Sequence, residues 1–267
     1  KRGAKPALTA CSGGQHPFAQ VTVLPLPSRC RDKSRADAPP RMPRMGTLYL
    51  VRHGQASFGT DDYDRLSELG QRQAVRLGQH WAERGLRFDA AITGTLKRHA
   101  QTFEGIAEGA GMALQPLAWP GLNEYDAEAV IRSIHPQPLQ KPDTPEAYRH
   151  HFRLLRDGLT QWMAGTVSPQ GMPSYDDFVR GITGALDHVR AQHHGQNVLI
   201  VSSGGPIATA VGHVLGLSPE ATIELNLRIR NCAVTEFQFT PKRHSLLTYN
   251  TLPHLDHPDY RDWITYA

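Results

Sequence analysis

The sequence predicts an α/β protein built as a three-layer α/β/α sandwich. Three observations carry that expectation. Strand and helix signals alternate through most of the chain, the pattern of a sheet with crossover helices. Asn197-Val198-Leu199-Ile200-Val201 is a nearly unbroken apolar run, as in a strand covered on both faces. Ala233–Phe239 and Ser245–Tyr249 read as a closing hairpin after the last helix signal. At 267 residues the chain can bury a core that needs no disulfide staple.

The first 44 residues differ from the rest. They carry nine Lys or Arg against two Asp, and seven of the 20 prolines. The remaining residues carry 20 basic and 23 acidic side chains, so the formal charge of +4 belongs to the leading segment. A mildly acidic folded part argues against nucleic-acid binding. The leading segment is Arg-rich and acid-poor like a transit peptide, but prolines interrupt it and no amphipathic helix is legible. It reads as a disordered tail or as sequence upstream of the true start, with a domain over 45–267. Cys11 and Cys30 lie in it, leaving Cys232 alone in the domain. A lone cysteine fits a reducing compartment, so a cytoplasmic location is expected. No apolar stretch approaches the length of a membrane span.

The elements follow in order. Leu48-Tyr49-Leu50-Val51 is a short buried strand that delivers Arg52-His53-Gly54-Gln55 to a loop. Ser67 is placed to cap a helix whose Gly70, Ala74, Leu77 and Trp81 share a face, with Gly85 at its end. Phe88–Ile92 reads as a second strand, and Ala100, Phe103, Ala107 and Ala110 mark a second helix. Residues 125–173 look like a helical insertion covering one face of the sheet. Within it Thr144 and Pro145 start a helix with an apolar stripe of Tyr148, Phe152, Leu155, Leu159 and Trp162. Ser174 with Asp177 resembles a capping box ahead of Phe178, Ile182, Ala185 and Val189. The apolar strand at 197–201 then meets Ser202-Ser203-Gly204-Gly205-Pro206 and a helix to about Leu215.

Chemistry-bearing residues gather at strand ends. Ligands in covered parallel sheets sit outside the carboxyl ends of the strands. Arg52-His53-Gly54, Thr95-Leu96-Lys97-Arg98, Leu122-Asn123-Glu124 and Ser202-Ser203-Gly204-Gly205 can therefore converge on one phosphoryl-transfer site. A histidine there can act as nucleophile, an arginine beside it can hold phosphoryl oxygens, and a glycine admits the ligand to the backbone. His150-His151 and His193-His194 lack metal-ligand spacing and read as solvated faces. Ser203 lacks the glycine two residues earlier that a serine-hydrolase elbow needs, since Val201 stands there.

These segments together resemble the histidine phosphatase superfamily, whose fold is phosphoglycerate mutase-like, over about 47–251. Arg52-His53-Gly54 matches the family's opening motif. Leu66-Ser67-Glu68-Leu69-Gly70-Gln71-Arg72-Gln73-Ala74 matches its Leu-Ser/Thr-x-x-Gly-x-x-Gln-Ala stretch, with Asp64 one residue closer than usual. Leu96-Lys97-Arg98-His99-Ala100-Gln101-Thr102 follows its Leu-x-Arg-Ala-x-Gln-Thr pattern, read with one residue too many before Gln-Thr. Leu122-Asn123-Glu124 supplies its Leu-x-Glu. The resemblance implies that His53 is the nucleophile and Glu124, with Asp126 as its rival, the general acid. It also implies that Arg52, Arg98 and Gly204 bind phosphate, Gly204 and Gly205 through backbone N–H groups; Ser203 either joins them in contacting phosphate or caps the following helix. It implies no metal and no cofactor.

One departure stands out. The family carries a second histidine where this chain has Ser203. Losing one such donor typically costs about 10²–10³ in rate, unless Ser202 or a nearby histidine compensates. The expected function is a metal-independent phosphomonoesterase working through a phosphohistidine. The alternative is a catalytically weakened phosphate-binding or scaffolding domain. A mutase is disfavoured, because Gln55-Ala56-Ser57-Phe58-Gly59 replaces the Glu-Ser-x-Trp-Asn that follows the opening motif in phosphoglycerate mutases. The expected partner is a small phosphorylated substrate or a phosphoprotein, with neither nucleic acid nor membrane, and a homodimer is left open.

Overall fold

The computed structural model describes residues 45–57, 64–137, 139 and 143–266. The expectations for residues 1–44, and the comparison made at Phe58 and Gly59, lie outside these residues. Along the chain, β1 (Gly46–Arg52) leads to α1 (Glu68–Glu83), β2 (Ala90–Thr93), α2 (Lys97–Ala110) and β3 (Leu117–Ala118). Then come α3 (Ala127–Ile134), α4 (Pro145–Met163), α5 (Tyr175–Gln192) and β4 (Asn197–Ser202). The chain closes with α6 (Gly204–Leu215), α7 (Pro219–Asn226), β5 (Val234–Thr240), β6 (Arg243–Thr251) and two short 3-10 helices.

The strands form one sheet in the order β3-β2-β4-β1-β5-β6. The pairs β2–β3, β2–β4 and β1–β4 are parallel, and β5 and β6 add antiparallel pairs at one edge. Successive side chains on a strand point to opposite faces, and the core divides accordingly. Leu48 and Leu50 of β1, with Val198 and Ile200 of β4, pack into a cluster shared with α3 to α7. Val51, Leu199 and Val201 pack instead with α1 and α2, against Leu77, Trp81, Phe103 and Ile106. Two clusters with the sheet between them make the three-layer sandwich that the sequence predicts. Among the described residues no helix is long and apolar enough to cross a membrane.

The capping signals behave as physical chemistry dictates. The side chains of Ser67, Thr144 and Ser174 accept from Gly70, Ala147 and Asp177 N–H, and Gly85 takes φ +67° just past α1. The helical insertion is present as α3 and α4, whose Val130, Ile131, Leu155, Leu159 and Trp162 join the larger core cluster.

Two periodicity readings need correction. The α4 stripe is buried only from Leu155 onward; Tyr148 and Phe152 are exposed, because the first turns of the helix extend past the core. On α2 the buried face is not the alanine face. Ala100 is exposed, whereas Arg98, His99, Thr102, Phe103 and Ile106 are buried. A polar buried face has no hydrophobic signature, and it is the face that meets the site.

Glycines let α1 and α2 approach closely enough to fix that face. A Cβ at Gly109 would lie 2.1 Å from Val75 O, and one at Gly78 would lie 2.2 Å from Ile106 O. Both obstacles are backbone, which moves only if the helices separate. Gly109→Ala is expected to destabilise the protein by about 1–3 kcal/mol, the usual cost of overpacking. Thermal and urea unfolding of the variant check this, and an unchanged midpoint would refute the packing argument.

Candidate active site

The parallel pairing of β1 with β4 ends with Arg52 opposite Ser202. Two strand ends, about 150 residues apart in sequence, thus open onto one place. His53 continues from β1, and its N–H donates to Ser202 O at 2.9 Å. Its carbonyl accepts from Asn231 Nδ2 and from Cys232 N–H in the turn before β5. The next residue is as tightly held, since Gly54 N–H donates to Thr102 Oγ1 on α2. A Cβ at Gly54 would sit 2.4 Å from Gly70 O, so only glycine permits α1 to pack here.

The His53 side chain is almost fully buried. Its Nδ1 lies 2.7 Å from Gly54 O. A carbonyl can only accept, so Nδ1 carries the proton and the Nε2 lone pair is left bare. Burial first, and then the nearby Arg52 and Arg98 charges and His99, hold the His53 pKa well below the ordinary histidine value. The ring is therefore neutral near pH 7, as a nucleophile must be.

Both predicted arginines are at the site, each with protein partners. Arg52 Nη1 donates to the carbonyls of Ile229 and Tyr266 at 2.6 and 2.7 Å. Arg98 is buried in the first turn of α2, where Nη1 donates to Asp64 Oδ1 at 2.7 Å. The other Asp64 oxygen accepts from Lys97 N–H. Asp64 therefore caps α2, whose own N-cap Leu96 has no capping side chain, and aims Arg98 at once.

Glu124 and its rival Asp126 are separated. Asp126 is the N-cap of α3, its side chain accepting from Ala129 N–H. The Glu124 carboxyl points to the site end of α6, where Oε2 accepts from Gly205 N–H at 3.1 Å. Burial raises the Glu124 pKa above the ordinary carboxylate value, against the opposing pull of Gly205 N–H and the two arginines. Gly205 is sized for this: a Cβ there would meet Glu124 Oε1 at 2.2 Å. The expectation that Gly205 offers its N–H to phosphate is thus corrected, because Glu124 takes it. Gly204 is packed against Asn226 and Ile229, with a Cβ 2.9 Å from each.

Ser203 is fully buried at the N-cap of α6, yet its side chain makes no capping bond. Its hydroxyl lies 2.7 Å from His99 Nε2. Ser202 is committed elsewhere, donating to Leu122 O at 2.7 Å. Gln55 serves local structure, with its N–H on Gln73 Oε1 and its own Oε1 accepting from Ser67. Sequence reading missed His99 as a site residue. Counted position by position, Leu96–Thr102 fits the seven-residue pattern with no residue to spare, and His99 falls on the alanine. That count was the available signal. Asn231 and the aiming role of Asp64 had no comparable one. Among the described residues, no group of three His, Cys, Asp or Glu is placed to hold a metal ion.

A covered sheet with these side chains at the ends of its parallel strands defines a phosphoglycerate mutase-like α/β protein. The fold matches a phosphoserine phosphatase from Entamoeba histolytica with a TM-score of 0.56, at 20% identity, over 79% of this chain and all of that one. The chain belongs to the histidine phosphatase superfamily (branch 1), whose family model matches residues 48–252. Among curated proteins it is 30% identical over 196 residues to a probable phosphoglycerate mutase GpmB of Erwinia tasmaniensis, covering 70% of this chain and 82% of that one. It is 31% identical over 199 residues to the 2,3-bisphosphoglycerate-dependent phosphoglycerate mutase of Rhizobium etli, covering 68% and 85%.

Two properties of His53 can be read in solution. Long-range ¹H–¹⁵N spectra should show the Nδ1–H tautomer, and the ring should stay neutral as pH falls well below 6.5. A ring that titrates near 6.5, or one protonated on Nε2, would contradict the buried, Gly54-locked geometry.

Proposed function

We propose that this protein hydrolyses phosphomonoesters through a phosphohistidine on His53, acting on a small phosphorylated substrate. The observation that carries this reading is the neutral, buried His53 ring, its Nδ1–H locked on Gly54 and two guanidiniums close by. His53 Nε2 attacks phosphorus, and the ester P–O bond breaks. Protonated Glu124 gives its proton to the leaving oxygen. Arg52 and Arg98 stabilise the charge gathering on the equatorial oxygens. Water then attacks the phosphohistidine and passes a proton to Glu124. The P–N bond breaks, inorganic phosphate leaves, and His53 returns neutral. The cycle draws on these side chains and one water, and the buried thiol of Cys232 fits a cytoplasmic setting.

Ser203, in place of the family's second histidine, favours a second reading: a phosphate-binding or scaffolding domain with weakened turnover. The curated relatives supply a third possibility, a phosphoglycerate mutase. One experiment separates them. The full chain is assayed with an aryl phosphate in chelator, beside His53→Ala, and then with 3-phosphoglycerate and a bisphosphoglycerate primer. Phosphate release that survives chelator and falls at least 10³-fold in His53→Ala supports the phosphatase. Conversion of 3- to 2-phosphoglycerate without net phosphate release would make it a mutase. Phosphate binding without turnover on either substrate would leave the binding domain.

The pH profile follows from the two shifted groups. His53 must be neutral, so kcat/KM falls as pH drops through a value below 6.5. Glu124 must be protonated, so kcat/KM falls again as pH rises through a value above 4.5. A bell is expected, and Glu124→Gln should remove its alkaline limb while leaving the acid limb. Survival of the alkaline limb in that variant would exclude Glu124 as the acid.

A further inference from the structure

The His99–Ser203 pair is the feature that the scheme above leaves unused. It joins the first turn of α2 to the N-cap of α6, and both residues are fully buried. Serine at a helix N-cap normally accepts from the first-turn N–H groups. Ser203 forgoes that bond for His99. The pair also borders the nucleophile. The His99 and His53 ring centroids are 5.9 Å apart, and Ser203 follows directly on the β4 residue paired with Arg52. Space has been cleared for the ring, since a Cβ at Gly94 would lie 2.2 Å from His99 Nδ1.

A proton count orients the pair. Burial and the neighbouring Arg98 push the His99 pKa down to about 3, so the ring is neutral and carries a single N–H. Nδ1 is buried and has no hydrogen-bond partner among the described residues. If the proton sat on Nδ1, a buried N–H would go unpaired, which is rarer than an unpaired acceptor. The proton therefore belongs on Nε2, where it donates to Ser203 Oγ. That fills one acceptor site of the serine and turns its own O–H hydrogen away from His99.

We propose that His99 and Ser203 act as one unit, in which His99 Nε2–H orients the Ser203 hydroxyl to donate a hydrogen bond to the transferring phosphoryl group. Ser203 touches the phosphoryl, and His99 is a positioning residue one step behind it. No proton changes hands between them. The imidazole missing at position 203 is supplied from position 99, with the serine as its extension. This rests on the phosphatase reading for its kinetic consequence, but not for its binding consequence.

The test compares wild-type full chain with Ser203→Ala, His99→Ala, the double variant and His99→Gln. Three quantities are read: kcat and KM on an aryl phosphate, the Kd of orthovanadate, and the unfolding midpoint. Ser203→Ala and His99→Ala should each lower kcat by about 10–10²-fold with KM changed little, at or below the cost of one transition-state donor. The double variant should lose no more than Ser203→Ala alone, because the two losses are the same loss. His99→Gln places an amide N–H near the position of Nε2, fills most of the ring's volume, and should recover most of the activity. Multiplying losses, an unaffected His99→Ala, or a Gln variant as impaired as Ala would each overturn the pair. Should His99→Ala unfold, the Gln variant and Ser203→Ala decide alone. If the wild type releases no phosphate, the phosphatase reading has failed, and orthovanadate still decides this one. About tenfold weaker binding in both alanine variants supports the pair; equal binding in all variants, or none in the wild type, overturns it.

Discussion

Everything at the site depends on the parallel ladder between β1 and β4. Six residue pairs set its register, and the last couples Arg52 to Ser202. Side chains alternate along a strand, so a slip of one residue would send Leu48 and Leu50 to the α1–α2 face and turn Val51 away from it. The apolar cores on both faces thus enforce the register, and the register brings His53 beside Ser203. The positional accuracy a phosphoryl-transfer site needs comes from packing energy gathered well away from it.

The electrostatics pose a harder problem than the packing. Two guanidiniums, two imidazoles and the Glu124 carboxyl lie close together, each buried or half-buried. Burying charge is costly unless it is paired or neutralised. Each group is accommodated differently. Arg98 pairs with Asp64, and Arg52 leans on two carbonyls. His53 and His99 stay neutral, and burial favours the neutral form of Glu124. This is an arrangement waiting for anionic charge. The guanidiniums that help hold His53 neutral are the same groups that, on the proposed function, would meet a phosphoryl group.

Much of this was legible in the sequence, and what was not has physical reasons. The strands, the capped starts of α1, α4 and α5, and the layer order follow from period and capping chemistry that act locally. Glu124, Arg52, Arg98 and His53 were legible as members of a spaced pattern. His99 was not, because a helix face lined by Arg98, His99 and Thr102 looks solvated when judged by hydrophobicity. Tyr148 and Phe152 failed in the opposite sense: their period is right, but no layer of the described residues lies over them. The short β3 and α7 carry too few residues for a periodic signal, and Asp64 acts on α2 from 33 residues away, which no local rule reaches.

Ser203 shows how a departure from pattern should be weighed. Considered alone it offers a hydroxyl without positive charge, which predicts a weakened site. On the proposal above, it works together with His99, an imidazole that reaches the β4–α6 junction from α2. The two residues are 104 apart in sequence, and their contact at 2.7 Å exists only in the fold. A neutral relay does not reproduce a cation, since the buried ring cannot easily carry charge beside Arg98. On the proposal, the pair supplies hydrogen-bond direction without positive charge, and Arg52 and Arg98 would supply the electrostatic attraction. Such a site should discriminate among phosphoryl groups more by geometry than by total negative charge.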